Sequence, residues 1–300
     1  MTAPTLHAFA EALAPAGRLA ALLGIACRPV TTRRFPDGES LVRVAATGDN
    51  AILYRSLDHA NDRLVELLLA GAALRDRGAR RVVLVAPYLG YMRQDTAFHP
   101  GEAVSQRVVG TLLAAHFDAV VTVDPHLHRI ASLAEVMPGI AAVAVSAATA
   151  LADTLRAALP RDTILIGPDA ESRRWVESVA APLGCEVLVG AKRRRGDRQV
   201  ELTIAGIERV RGRPVLLVDD LISSGATLLG CAALLRAAGA GHIEACATHC
   251  LAGPADLRAL ARAGIARIRS TDTVAGPTGS IAIAAVLAET SEARAAIMAE

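Results

Sequence analysis

Two adjacent acidic residues, Asp219 and Asp220, stand directly after the short apolar run 215–218. A loop of small and hydroxyl-bearing residues follows and leads into a helical pattern, in the order Ser223, Ser224, Gly225, Ala226 and Thr227. Backbone amides and hydroxyls at a helix N-terminus suit a phosphate. Paired acids at the end of an apolar strand are costly unless they bind something, such as sugar hydroxyls or a Mg²⁺-bound ligand. The pattern favours a phosphate site over the alternative, a structural turn with a capping serine.

Other short apolar runs are also followed by polar residues. They are Arg93 and Gln94 after 82–85, His126 after 119–123 and Asp169 after 163–166. Ligands of parallel α/β sheets bind at the carboxyl ends of the strands, which is where these residues are expected. Arginine offers a planar fork to phosphates, and glutamine offers a neutral hydrogen-bonding partner.

Lys192 is the only lysine of the chain, and the other 31 of its 32 basic residues are arginines. A Walker-type phosphate loop needs Gly-Lys-Ser/Thr, whereas Lys192 stands between Ala191 and Arg193, so this class is excluded. A protein-kinase core is excluded because no H-R-D motif occurs. The basic run 192–195 could be a solvated hairpin tip or a nucleic-acid patch. Its position shortly before the 215–227 segment favours a functional loop instead.

The composition limits the partners and the compartment. Net charge is +2 and aromatic residues make up 3%, so neither nucleic acid nor an anionic membrane is expected as a partner. No apolar run approaches the roughly 20 residues of a membrane span, and the segment 1–30 is predicted to be an amphipathic helix. Five scattered cysteines without a C-x-x-C motif predict reduced thiols in a cytoplasm. Cys246, His249 and Cys250 are interpreted as core residues.

Short β-rich runs alternate with helical patterns along the whole chain. Strands are predicted at 51–54, 82–85, 119–123, 163–166, 186–189, 200–203, 215–218 and 243–247, and helices at 63–77, 103–116, 147–159, 170–181, 226–239 and 255–263. Such alternation predicts parallel sheets covered by helices on both faces. The two halves look alike, which predicts two similar α/β domains, 1–146 and 147–300. The last helix of the chain is expected to pack back on the N-terminal domain.

Several motifs together resemble the ribose-phosphate pyrophosphokinase (phosphoribosyl pyrophosphate synthase) family. The segment 215–227 resembles the phosphoribosyl-pyrophosphate loop that this family shares with phosphoribosyltransferases. Five further segments resemble the family's motifs in its order, namely R-F-P-D-G-E at 34–39, P-Y-L-G-Y-M-R-Q-D at 87–95, D-P-H-L-H at 124–128, G-P-D at 167–169 and K-R-R at 192–194. The resemblance covers about residues 5 to 290. It implies two similar phosphoribosyltransferase-type domains, each a mainly parallel sheet flanked by helices.

The resemblance also implies a reaction. ATP and ribose 5-phosphate would give AMP and 5-phosphoribosyl 1-pyrophosphate, with Mg²⁺ as the cofactor. The first domain would be the ATP side, and the second domain the ribose 5-phosphate side. The family is oligomeric, so a homodimer or a homohexamer is expected.

Roles for individual residues follow from the same resemblance. ATP would contact Phe35, Asp37, Gly38, Glu39, Arg93 and Gln94, with the 35–39 segment reaching a neighbouring subunit's site. An aromatic face can stack on adenine while a carboxylate reads its edge, although Pro-Asp-Gly is also an ordinary turn. Ribose 5-phosphate would contact Arg194, Asp219, Asp220 and the loop 223–227. His126 and Asp169 would bind metal, and Lys192 and Arg194 would close over the reacting phosphates.

The chain departs from the family pattern at a few positions. Ala226 replaces a usual glycine, the segment 170–175 replaces a Gly-rich stretch, and Pro100-Gly101 alters the loop before Glu102. Ser223-Ser224 is more similar to the archaeal-type branch than to the bacterial form. Three alternatives stay open: a phosphoribosyltransferase, a pyrophosphokinase for another sugar phosphate, and an inactive regulatory homologue.

Overall fold

The computed structural model describes residues 3–127, 129–195 and 199–299, and of 192–195 and 199–201 it describes the backbone alone. The chain divides into two compact units. The first contains the chain up to Ser146, Thr273–Ala275 and the segment from Ala282 onward, and the second contains Ala147–Asp272 and Gly276–Ile281.

The strands of the first unit are β1 (Thr5–Ala8), β2 (Ala26–Pro29), β3 (Thr31–Arg34), β4 (Ser40–Arg43), β5 (Asn50–Tyr54), β6 (Arg81–Val85), β7 (Ala119–Val123) and β8 (Ala141–Val145). Three of these strands, β5, β6 and β7, follow the predicted apolar runs. Six of the strands form a parallel sheet in the order β2-β1-β5-β6-β7-β8, and β3 and β4 form a separate antiparallel pair. Every residue of β5 and β7 is buried, as expected for a parallel sheet covered on both faces.

Within the described residues, the first unit has three α-helices from the first half of the chain and two from the C-terminal end. They are α1 (Leu13–Leu23), α2 (Ala60–Asp76), α3 (Ser105–His116), α8 (Ala284–Glu289) and α9 (Ser291–Met298). Arg81 of β6 donates to the carbonyl oxygens of Ala296 and Ala299, at 2.7 and 3.2 Å, and so ties the end of α9 to the sheet. The predicted helix over 1–30 is corrected, because strands β1 and β2 flank a shorter α1.

The second unit is built on a seven-stranded sheet. Its strands are β9 (Ile164–Gly167), β10 (Glu186–Arg195), β11 (Gln199–Ile204), β12 (Pro214–Ile222), β13 (His242–Cys250), β14 (Ile265–Thr271) and β15 (Gly279–Ile281). The order is β11-β10-β9-β12-β13-β14-β15, and the β10–β11 pair alone among these is antiparallel. The helices are α4 (Ala148–Arg156), α5 (Arg173–Ala180), α6 (Ala226–Ala237) and α7 (Pro254–Arg262).

Several strands of the second sheet are longer than predicted, and two of these extensions include candidate site residues. β12 continues through Ile222, so Asp219 and Asp220 are part of the strand rather than residues after it. Continued pairing with β13, up to Ile222 opposite Cys250, explains the extension. β10 continues to Arg195 because it pairs with β11, so Lys192 and Arg194 belong to a hairpin arm and not to a loop.

Candidate active site

Three acidic side chains lie together at the carboxyl edge of the second sheet. Asp169 follows β9, and Asp219 and Asp220 stand in the neighbouring β12. Burial raises the pKa of Asp219 well above its ordinary value, and the negative charges of Asp220 and Asp169 raise this pKa further. The edge therefore carries an excess of negative charge that hydrogen-bond donors or a cation would offset.

The loop after β12 leads directly into α6. Gly225 has φ +77°, and a Cβ at this position would lie 2.8 Å from Leu260 Cδ1, so both the backbone and the space require glycine. The first amides of a helix have no partner within the helix. Ser223 and Ser224 precede these amides, and Thr227 belongs to the first turn. The arrangement suits the oxygens of a phosphate.

Asp169 is held by the turn that follows it. The Ser172 hydroxyl donates to the Asp169 carbonyl oxygen at 2.6 Å, and the amides of Glu171 and Ser172 both donate to Asp169 Oδ1 at 3.2 Å. Ser172 is buried. The segment 170–175, which departs from the family pattern, thus fixes the acidic side chain in one orientation.

The basic run lies on the β10–β11 hairpin. The backbone register places Lys192 opposite Leu202 and Arg194 opposite Val200. The side chains of Lys192 and Arg194 lie outside the described residues, so their roles stay predictions. The approach of the β10 backbone to the turn after β9 depends on Gly190, where a Cβ would lie 2.4 Å from the Pro168 carbonyl oxygen.

In the first unit, Arg93 and Gln94 lie beyond the end of β6. Arg93 is exposed, and Gln94 is half-buried and donates to the Thr96 carbonyl oxygen at 3.0 Å. Glu102 accepts from the Phe98 amide at 2.8 Å, from the His99 amide at 3.1 Å and from Gln94 Nε2 at 3.3 Å. The loop that contains Pro100-Gly101 is therefore held together by the Glu102 carboxylate.

His126 follows β7, which pairs in parallel with β6, so His126 and Arg93 come from neighbouring strand ends. Asp124 makes the turn with φ +39° while its amide donates to the Val145 carbonyl oxygen at 2.9 Å. His126 is half-buried. His128, the second histidine of the motif, lies outside the described residues.

The 35–39 segment is the turn between β3 and β4. The Phe35 amide donates to the Glu39 carbonyl oxygen at 2.7 Å, and the Glu39 amide donates to Asp37 Oδ1 at 3.1 Å. Gly38 has φ +96°. The Arg33 guanidinium lies 4.9 Å from the centre of the Phe35 ring. Phe35, Asp37 and Glu39 are thus presented together on one tight turn.

Comparison with known proteins assigns both parts of the chain. Residues 8–116 match the family model described as the N-terminal domain of ribose phosphate pyrophosphokinase, and residues 140–285 match the phosphoribosyl transferase domain. A curated ribose-phosphate pyrophosphokinase from Methanopyrus kandleri is 37% identical over 92% of this chain and 94% of the relative. One from Thermococcus kodakarensis is 36% identical over 85% of this chain and 89% of the relative.

The chain belongs to the ribose-phosphate pyrophosphokinase family. A crystal structure of phosphoribosylpyrophosphate synthetase from Mycobacterium smegmatis matches with a TM-score of 0.82 and 26% identity, over 98% of both chains. The resemblance inferred from the motifs and the predicted fold class are confirmed. The archaeal relatives agree with the likeness of Ser223-Ser224 to the archaeal-type branch.

The structure brings out two residues that sequence reasoning missed, Ser172 and Gly190. Ser172 was part of an unexplained departure, although a serine just before a helix is a typical capping signal that could have identified it. The sequence around Gly190 contains no pattern that identifies it. Its role is to let the β10 backbone approach the carbonyl oxygen of Pro168, which follows a different strand. The two residues shape the surroundings of Asp169 rather than offering groups to a ligand.

Candidate metal ligands are few in the part of the chain that the structure describes. Within 3–127, 129–195 and 199–299, no group of three or more His, Cys, Asp or Glu side chains is arranged to hold a metal ion. Cys246, His249 and Cys250 are buried in β13, and burial raises the pKa of the Cys246 thiol to about 12. No helix in these ranges combines the length and the apolar character needed to cross a membrane.

Proposed function

We propose that this chain transfers the pyrophosphoryl group of ATP to the C1 hydroxyl of ribose 5-phosphate, giving 5-phosphoribosyl 1-pyrophosphate and AMP. The observation that carries the proposal is the carboxyl edge of the second sheet, where half-buried carboxylates adjoin a helix-opening loop. Hydroxyl-binding carboxylates beside a phosphate-binding loop match the two ends of a phosphorylated sugar. Curated relatives that carry the name ribose-phosphate pyrophosphokinase support the same reaction.

The second unit is proposed to bind ribose 5-phosphate. The loop 223–227, including Ala226, holds the 5-phosphate through its amides and hydroxyls. Asp219 and Asp220 accept hydrogen bonds from the sugar hydroxyls, and Arg194 adds positive charge. This division places the acceptors on the hydroxyl side and the donors on the phosphate side.

The first unit is proposed to bind ATP. Arg93 pairs with the phosphates in a bidentate manner, and Gln94 adds a neutral hydrogen bond. The turn containing Phe35, Asp37, Gly38 and Glu39 serves the adenine of a neighbouring subunit's ATP. The proposed domains are accordingly 1–146 for ATP and 147–300 for ribose 5-phosphate, with the last helix packing on the first.

The transfer step needs positioning and neutralisation of charge more than covalent chemistry. The C1 oxygen attacks the β-phosphorus in line as the hydroxyl releases its proton to water. The bond from the β-phosphorus to the oxygen that bridges to the α-phosphorus breaks, and AMP leaves. Lys192, Arg194 and Arg93 stabilise the charge that develops on the transferred group.

The donor set of the second unit fits Mg²⁺. Mg²⁺ prefers oxygen ligands, and it is usually held by one or two carboxylates together with substrate phosphates and water, so a dedicated protein cage is not required. The raised pKa of Asp219 reflects local negative charge that a cation would offset. We assign Asp169 to metal on the ribose side and His126 to the metal bound to ATP. When bound, Mg²⁺ neutralises the triphosphate.

The assembly and the compartment are proposed from the family resemblance. A homodimer or homohexamer would let the exposed 35–39 turn serve a neighbouring site, and a cytoplasmic location agrees with the five free cysteines. Sedimentation at micromolar protein concentration measures the assembly. A monomer that is fully active would contradict the shared site.

One assay tests the reaction. Purified protein is incubated with ATP, Mg²⁺ and ribose 5-phosphate, and AMP is followed. AMP that requires the sugar supports the proposal, and absence of AMP from folded protein contradicts it. Release of pyrophosphate on adding a nucleobase to 5-phosphoribosyl 1-pyrophosphate would favour a phosphoribosyltransferase, and AMP formation with another sugar phosphate would change the acceptor.

A further inference from the structure

The β3–β4 hairpin, which carries the 35–39 turn, is separate from the six-stranded sheet of its unit. Most of its residues are exposed. A two-stranded hairpin is marginally stable on its own in water, so contacts with the rest of the unit must hold it. Val42 packs on the core, β4 packs against α2, and Val30 and Val44 on either side of the hairpin are core residues.

A chain of polar contacts joins the hairpin to the sheet. The Ser40 hydroxyl, at the start of β4, donates to Glu66 Oε1 of α2 at 2.8 Å. Glu66 Oε2 accepts from the Arg55 guanidinium at 2.7 Å, and Arg55 Nε donates to Glu11 at 2.9 Å. Arg55 follows β5 and also lies 3.7 Å from the centre of the Phe9 ring. Four separate segments of the first unit therefore meet through one arginine and one glutamate.

Both charges of this chain are buried, with Arg55 5% and Glu66 8% exposed. Burial is the largest influence on Glu66 and would raise its pKa. The hydrogen bonds from Arg55 and Ser40, together with the charge of Arg55, outweigh burial and lower the pKa of Glu66. A buried charge persists only when its partners are in place. The pair therefore has one well-defined geometry, and that geometry includes the hydroxyl of the hairpin.

We propose that Glu66 is a positioning residue for ATP binding, because it locks the β3–β4 hairpin to the first sheet through Ser40 and Arg55. The inference rests on the proposed function, in which Phe35, Asp37 and Glu39 contact ATP. Glu66 itself touches none of these residues in the described contacts. It acts by fixing the strand that follows the turn.

The test uses Ser40→Ala, which cuts the link without leaving a charge unpaired, and Glu66→Gln, which keeps the shape and removes the charge. Each should raise KM for ATP about two- to tenfold, the effect of one lost hydrogen bond, while kcat and KM for ribose 5-phosphate stay nearly constant. Ser40→Thr keeps the hydroxyl and should restore the KM. The matched control is Glu177→Gln, the same change of residue type in an exposed ion pair with Arg173 on α5 of the second unit.

Hydrogen exchange provides a readout that needs no activity. Peptides covering 31–43 should exchange faster in Ser40→Ala and Glu66→Gln, and peptides covering β6 should not change. Unchanged exchange of 31–43 together with an unchanged KM for ATP overturns the proposal. An equal rise in KM for ATP and for ribose 5-phosphate also overturns the proposal, because it indicates a general structural defect. If the unsubstituted chain forms no AMP, the proposed function fails, and the exchange data together with calorimetric ATP binding still decide the role of Glu66.

Discussion

The two units share an architecture but place different candidate ligand-binding groups at the carboxyl ends of their strands. In the first unit, Arg93 follows β6 and His126 follows β7. In the second unit, Asp169 follows β9, and Asp219 and Asp220 lie in β12, beyond the residues 215–217 that pair with β9. The same scaffold thus presents candidate hydrogen-bond donors in the first unit and candidate acceptors in the second unit.

This difference shows that binding chemistry resides in the strand ends and not in the fold. A polyphosphate requires cationic and neutral donors, whereas a ribose with free hydroxyls requires acceptors. In the proposed site, the second unit would meet the phosphate of its sugar mainly with backbone amides at the start of α6, with Arg194 adding positive charge. A substitution in one unit should therefore change the KM for one substrate and leave the KM for the other nearly constant.

The largest effect is expected for Lys192, the one lysine in the chain and the first residue of the basic run 192–195 in the second unit. Lys192→Ala should lower kcat by about 10²–10³-fold, as for loss of a group that stabilises transition-state charge. Binding of ribose 5-phosphate, measured by calorimetry, should be largely retained. Lys192→Arg should restore activity only in part, because a guanidinium fork does not replace a compact ammonium.

A matched control for Lys192 is Arg258→Ala, which removes an exposed cation from α7 of the same unit. It should leave kcat unchanged. A Lys192→Ala protein with normal turnover would show that the β10–β11 hairpin does not act on the reacting phosphates.

Asp219→Asn tests the acidic side of the comparison. The substitution should lower kcat/KM for ribose 5-phosphate by roughly 10–100-fold, the effect of losing a hydrogen bond to a charged group. It should also raise Tm, because it removes a charge that burial, Asp220 and Asp169 all disfavour. Each kcal/mol gained corresponds to about 2–4 °C in a chain of this size. A lower Tm with unchanged kcat/KM would mean that Asp219 is structural.

Arg93→Ala tests the basic side and should have an effect of similar or smaller size. KM for ATP should rise about tenfold, since one bidentate contact to phosphate is lost. KM for ribose 5-phosphate should change little, and Arg107→Ala, an exposed arginine on α3, serves as the control. Equal changes in both KM values would contradict the proposal that the first unit binds ATP and the second unit binds ribose 5-phosphate.

The central strands and the helices between them could be predicted from the sequence, because parallel strands that are buried on both faces appear as short apolar runs. The strands β1 to β4, β14 and β15 could not be predicted in this way. The runs at 82–85 and 119–123 correspond to β6 and β7. The ends of β12 and β10 could not be predicted in this way. Asp219, Asp220 and the basic run at 192–195 are polar, and only pairing with β13 and β11 makes their backbone extended.

The candidate site could be predicted where the groups that meet ligands are themselves distinctive, as in the 219–227 segment. Supporting residues could not be found, because their roles depend on contacts distant in sequence. Ser40 and Glu66 are 26 residues apart, and Arg55 contacts Glu11 across 44 residues. Glu66 lies in a helix whose sequence pattern suggests only a surface acid.

The smallest effect concerns pH, and here too the units should differ. His7 in β1 is fully buried, and within the described residues neither ring nitrogen has a hydrogen-bond partner. Burial, with a smaller contribution from the charge of Arg28, lowers the pKa of His7 to about 4. As the pH falls through about 6.5, His7 therefore becomes protonated in the unfolded chain, whereas in the folded chain it stays neutral until the pH approaches 4. Stability of the first unit should fall as pH drops from 6.5 toward 4, by at most about 1.4 kcal/mol per pH unit.

Asp219 should act in the opposite direction, because its raised pKa lets the folded second unit bind a proton before the unfolded chain does. Hydrogen exchange of β1 and β5 reports the first unit, and the single tryptophan, Trp175 in α5, reports the second during urea unfolding. His7→Leu should flatten the acid dependence of the first unit alone, whereas His116→Gln, at an exposed histidine of α3, should leave it intact. If His7→Leu and the unsubstituted chain lose protection in β1 with the same pH dependence, the buried imidazole is not the group responsible.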